Sequence, residues 1–156
     1  MTSNLALLSF CVMTSSSVFV GQAPANPKTS SAAYRVEWEE SHVPDVAGTK
    51  VTIAVPVTVR NIGNRVWPAS AVFVAYHWFR GGRVARWDGE RTTLPRNLEP
   101  GGRVAMSVRV TTPEEPGSYV LQITLVQEQV AWFETKGGDT ITRPVVVRPP
   151  TDDGVR

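Results

Sequence analysis

From Lys50 to Asn61 the chain reads KVTIAVPVTVRN, and Val51, Ile53, Val55, Val57 and Val59 alternate with smaller or polar residues. A period of two places all five on one face of a strand, so that face is core. The same period recurs elsewhere. AYRVEWEE puts Tyr34, Val36 and Trp38 on one side, GGRVAMSVRV does so with Val104, Met106, Val108 and Val110, and GSYVLQITLVQ with Tyr119, Leu121, Ile123 and Leu125. AVFVAYHWFRGGRVARW reads as two strands around Gly81-Gly82, a dipeptide suited to a tight hairpin turn, and DTITRPVVVR reads as the last strand. No convincing helix intervenes. About seven or eight short strands separated by turn signals predict an all-β sandwich of two antiparallel sheets. Pro56 cannot donate a ladder hydrogen bond, so it points to an edge or a bulge in its strand.

Two local motifs go beyond alternation. In VRNIGNRVWPAS a strand ends in Asn61-x-Gly63, residues that tolerate left-handed turn geometry, and Trp67-Pro68 follows to plug the open end of the core. In LEPGGRVAMSVRVTTPEEPGSYVLQ, Tyr119 comes two residues after a turn glycine, the placement of a corner tyrosine whose hydroxyl bonds to nearby backbone. With Pro100-Gly101, Pro113, Pro116 and Gly117, these residues resemble bacterial immunoglobulin-like modules related to the four-tryptophan (FW) domain of selective-autophagy receptors. The resemblance spans most of Tyr34 to Val147. It implies an immunoglobulin-like sandwich serving as a non-catalytic interaction or accessory domain, often attached to carbohydrate-active or cell-surface proteins. Of the four tryptophans that name the FW domain only Trp67 is matched, so no receptor groove is carried over. Trp78 resembles the central core tryptophan of such sandwiches. Leu121 stands where antibody domains have their second cysteine.

Composition narrows the function. The chain has 156 residues, 42% of them hydrophobic and 19% charged, enough for one core of ordinary size. Sixteen Lys and Arg against 14 Asp and Glu give a net charge of +2, spread along the chain without the basic stripe of a nucleic-acid binder. The single cysteine, Cys11, excludes an internal disulfide. It lies in an apolar N-terminal stretch ending in Ala23-Pro24-Ala25, which is read over residues 1–25 as an export signal or a disordered leader, cleavage falling before Asn26. Export to the periplasm or beyond is the favoured reading, with a cytoplasmic location as the alternative. The stretch is too short and interrupted for a transmembrane span. Residues 26–32 read as a linker, 33–148 as the sandwich and 149–156 as a disordered tail.

No cofactor, metal or catalytic residue is expected. His42 and His77 are far apart and lack zinc spacing, and no serine has a nucleophile-elbow context. Glu128 with Glu134 or Asp139 could supply a glycosidase pair, but they read as surface acids without a burying environment. The remaining candidate is a surface. If Val74, Tyr76 and Trp78 face the core, then Phe73, His77 and Phe79 face outward beside Gln122 and Thr124 of the neighbouring strand. A two-residue turn at Gly81-Gly82 pairs His77 with Arg86 on that face, and a hairpin closing over Glu128 and Gln129 turns Phe133 outward and Trp132 inward opposite Leu125. The expected binding face is therefore Phe73, His77, Phe79, Arg86, Gln122, Thr124 and Phe133, with loop contacts from Gln127, Glu128 and Gln129. Trp67, Trp78, Tyr119 and Trp132 are expected in the core. Tyr34, Trp38 and Trp87 read as core or edge residues. A protein partner is the first expectation for this face and a glycan the alternative.

Overall fold

The structure, a computed structural model, describes residues 31–149. The leader and its cleavage site, Cys11, most of the linker and the end of the tail lie outside the described residues. Ten strands follow in order: β1 (Val36–Ser41), β2 (Val46–Gly48), β3 (Thr52–Asn61), β4 (Val72–Arg80), β5 (Arg83–Arg86), β6 (Thr92–Thr93), β7 (Arg103–Thr111), β8 (Gly117–Gln127), β9 (Ala131–Trp132) and β10 (Ile141–Arg148). Two 3₁₀ turns, Ala32–Tyr34 and Phe133–Lys136, complete the set. One sheet has the order β1-β3-β7; the other has β2-β10-β8-β4-β5, with β6 on β4 and β9 on β8. The pairings are antiparallel except β2 with β10. This is an all-β immunoglobulin-like sandwich in which the chain's first edge is shared, β1 joining one sheet and β2 the other.

The alternating residues meet between the sheets. Val55, Val57 and Val59 of β3 and Val104, Val108 and Val110 of β7 belong to the same buried cluster as Val74, Tyr76 and Trp78 of β4 and Tyr119, Leu121, Ile123 and Leu125 of β8. Each large side chain so buried contributes roughly 1.5–3 kcal/mol of transfer free energy. The polar tips are satisfied by the opposite sheet: Trp78 Nε1 donates to the Thr111 carbonyl at 3.0 Å, and the Tyr76 hydroxyl accepts from the Thr111 N–H at 2.9 Å. Tyr119 donates its hydroxyl proton to the Glu115 carbonyl at 2.9 Å, the bond of a corner tyrosine.

The Asn-x-Gly motif builds the end of the core. Asn61 is fully buried; its Nδ2 donates to the carbonyls of Arg65 (2.8 Å) and Leu98 (2.9 Å), and its Oδ1 accepts from the Gly63 N–H (2.9 Å). Trp67 then pairs with Leu98 as an isolated bridge and closes the core at 2% exposure.

Pro56 is not on an edge strand. β3 is the middle strand of its sheet, and Pro56 lies opposite Ser107 of β7. Its carbonyl accepts from the His42 N–H at 3.1 Å, so the position that lacks a donor faces β1, just past the last β1 pair, Ser41 with Val57. The proline ends a ladder instead of marking an outer edge.

Candidate functional site

The outer face of the β10-β8-β4-β5 sheet is where the sequence placed a binding surface. β4 and β8 pair as expected, Phe73 with Val126, Ala75 with Thr124, His77 with Gln122 and Phe79 with Val120. What lies over these residues differs from expectation. The hairpin after β8 closes over three residues, Glu128, Gln129 and Val130, with Gln129 left-handed at φ 59°, so Trp132 pairs with Val126 and Ala131 with Gln127. That one-residue change exchanges the two aromatics. Trp132 lies half-buried over the outer face, while Phe133 begins a 3₁₀ turn and enters the core at 1% exposure, edge-on to Tyr34 at 5.0 Å and to Trp67 at 5.1 Å. Phe133 is therefore a core residue and Trp132 is not.

Arg86 also moves. Gly81 and Gly82 both take positive φ, as a tight primed turn requires, and Phe79 pairs with Val84 as a two-residue loop dictates. A bulge beyond that pair sets Arg86 opposite Trp78 instead of His77. Arg86 then lines a hollow with Trp78, Arg80, Glu115 and Tyr119, away from the outer face.

His77 points outward from the sheet but is fully covered. Its Nδ1 donates to the Trp87 carbonyl, and its Nε2 lies 3.1 Å from Glu134 Oε1. Thr124, also fully buried, donates to Glu134 Oε2 at 2.5 Å. Burial pushes the Glu134 carboxyl up, but the hydrogen bonds from His77 and Thr124 and the charge of His77 outweigh it and hold the group below its ordinary range. An ionised carboxylate on one side and a carbonyl on the other leave both ring nitrogens of His77 facing acceptors. Glu134, expected as a surface acid, is an internal counter-ion.

Two indoles cover the pair. Trp87 stacks on the His77 ring at 3.9 Å and 11°, and Trp132 lies tilted at 4.5 Å from it. Arg91 sits 4.9 Å above Trp132 and is tied to Glu128 (2.5 Å) and to Asp88. Burial lowers the tendency of Arg91 to hold its proton, but the bonds and charges of Glu128 and Asp88 prevail and keep it charged. Gly89 secures the Trp87 loop: its N–H donates to the Tyr76 carbonyl at 3.0 Å, and a Cβ there would meet that oxygen at 2.4 Å.

This cluster holds a fold together and offers no reactive group. Both His77 nitrogens are engaged, Thr124 is spent on Glu134, and general acid–base work needs a group able to reach a substrate proton. Glu128 pairs with Arg91, and Gln127 accepts from the Tyr34 hydroxyl at 3.2 Å. Among the described residues no group of three or more His, Cys, Asp or Glu could hold a metal ion, and no helix is long and apolar enough to cross a membrane.

Of the expected face, Phe73, Phe79 and Gln122 remain half-buried on the outer surface, while His77, Thr124 and Phe133 are buried. A different surface emerges one row along. Val84 of β5 pairs with Phe79 of β4, Phe79 with Val120 of β8, and Val120 with Pro144 of β10. Four strands thus place one apolar residue each in a line across the sheet, and beside that line Val146 of β10, opposite Ser118, pairs with Val46 of β2. Val84, Trp87, Val120, Val146 and Val46 are five of the eight exposed large hydrophobic residues among those described.

No protein-family model matches the chain, and no curated protein matches it. Solved structures resemble it at low identity. The CARDB domain of a Pyrococcus furiosus protein, crystallised in complex with di-metal ions, is 22% identical over 73% of this chain and 86% of that one, with a TM-score of 0.44. Alkylpurine DNA glycosylase AlkC from Pseudomonas fluorescens, bound to DNA, is 13% identical over 73% of this chain and 30% of that one, with a TM-score of 0.46. A β-glucosidase from Listeria innocua is 13% identical over 72% and 16%, also at 0.46. No residue role is carried over from any of them.

Proposed function

We propose that the chain is a non-catalytic binding or assembly module whose outer β10-β8-β4-β5 face meets a protein partner. The apolar line Val84, Phe79, Val120 and Pro144 carries this reading. Exposed apolar residues scattered singly are ordinary, but a contiguous set on one face marks an interaction surface. The finer kinship to FW-type modules rests on Asn61, Gly63, Trp67, Pro68 and Tyr119, whose work here is to close and corner the sandwich.

A photo-crosslinking residue placed at Val120 tests the reading in the cells that make the protein. A discrete heavier species is expected from Val120 and none from Ser107, an exposed position on β7 of the other sheet. Equal cross-linking from both positions, or none from Val120, would remove the basis for it.

A further inference from the structure

Trp87 is 42% exposed. One face of its indole is occupied by His77 at 3.9 Å and 11°, and Trp132 stands edge-on to it at 5.8 Å. His77 grips the same residue twice, by stacking on its ring and by bonding its carbonyl. An exposed tryptophan held this way is ordered before anything binds, and the entropy of immobilising it is not lost on contact. Tryptophans of this kind dominate binding energy where they occur at interfaces.

We propose that Trp87 is the anchor of the binding face and receives an aliphatic or proline side chain from a short protein segment laid along the Val84, Phe79, Val120 and Pro144 line. The proposal rests on the binding-module reading and adds the contact and its chemistry. Charge decides against a cationic ligand. Asp88, the carboxylate next to Trp87, is already paired with Arg91, and no carboxylate stands among the residues of the line to attract a positive group. Neighbouring chemistry decides against a saccharide: the line beside Phe79 is aliphatic, and the Gln122 amide, on the row of His77, is partly taken up by Thr140 at 3.3 Å, so most hydroxyls of a sugar laid along the line would be desolvated without partners. Size decides against a second copy. Strand spacing and rise give the line and the adjoining row about 200 Å², well under the ~800 Å² per partner of a stable interface. His77 and Glu134 are positioning residues in this scheme.

The full chain labelled with 5-fluorotryptophan gives one fluorine signal per tryptophan, and Trp87→Phe identifies the relevant one. Acetylated proline and leucine peptide amides are expected to shift the Trp87 signal saturably, whereas an acetylated arginine amide and a cello-oligosaccharide leave it in place. An equal or larger shift with arginine or the sugar, or no shift with proline and leucine, overturns the proposal. So does a concentration-dependent shift without any probe accompanied by a doubled solution mass, which would assign the face to a second copy. Glu134→Gln should move the Trp87 signal of the free protein, leave those of Trp67 and Trp78 unmoved, and weaken the proline probe by about two- to tenfold, the worth of one pre-ordered side chain. Undiminished cross-linking from Val120 in a Trp87→Ala variant would overturn the anchor while leaving the binding face standing.

Discussion

Single residues decide more here than their size suggests. Asn61 is the clearest case, since one buried amide answers two carbonyls and one N–H in the turn that carries Trp67 into the core. Asn61→Ala leaves the Leu98 carbonyl without its side-chain donor at a buried site. A loss of about 1–3 kcal/mol in stability is expected from the three hydrogen bonds removed, the Leu98 carbonyl keeping only the Trp67 N–H, measured as a lower urea midpoint with unchanged slope. Gly89 acts through space: Gly89→Ala would drive a Cβ into the Tyr76 carbonyl, and the loop bearing Trp87 must shift to accommodate it. Its expected signature is a displaced Trp87 fluorine signal with the core tryptophan signals held.

At the scale of elements, the strands with several alternating positions were legible and the short ones were not. β1, β3, β4, β5, β7, β8 and β10 follow from periodicity, β9 was placed only as the return of a hairpin and one residue out of register, and β2 and β6 have two or three residues each and leave no period to read. The errors in the candidate face have the same origin in loop geometry. Gly81-Gly82 announces its turn, yet nothing in the sequence marks the bulge that carries Arg86 past His77. Gln129 occupies a left-handed position that glycine or asparagine would have advertised, so the three-residue hairpin was invisible and Trp132 and Phe133 exchanged places. The inward and outward alternation of β4 was readable from its sequence, but the cover over His77 comes from residues ten and 57 positions away. The same hairpin offers a test. Gln129→Gly removes the Cβ penalty of the left-handed conformation at an exposed position, which costs roughly 1–2 kcal/mol for an L residue, and should raise the melting temperature. Phe133→Ala should do the reverse by about 3–5 kcal/mol, while an outward Phe133 would cost little.

For the molecule as a whole, the His77, Glu134 and Thr124 cluster ties the β9 and 3₁₀ segment to the outside of a sheet whose inside faces the main core. Stability must therefore carry a pH signature from Glu134. In the unfolded chain its carboxyl titrates near the ordinary value of 4.5, and in the folded protein it does so lower. The folded state then favours the ionised form, so the stabilisation is present in full above that ordinary value and is lost as pH falls through the depressed folded one. Other charges near the cluster, Arg91, Asp88 and Glu128, form their own set around Trp132 and add to any acid dependence. Comparison with Glu134→Gln isolates the single carboxyl. The variant should be less stable at neutral pH, and the gap to the parent protein should narrow steadily below pH 4.5 in urea titrations at successive pH values. A gap independent of pH would mean that Glu134 contributes by packing and neutral hydrogen bonding alone.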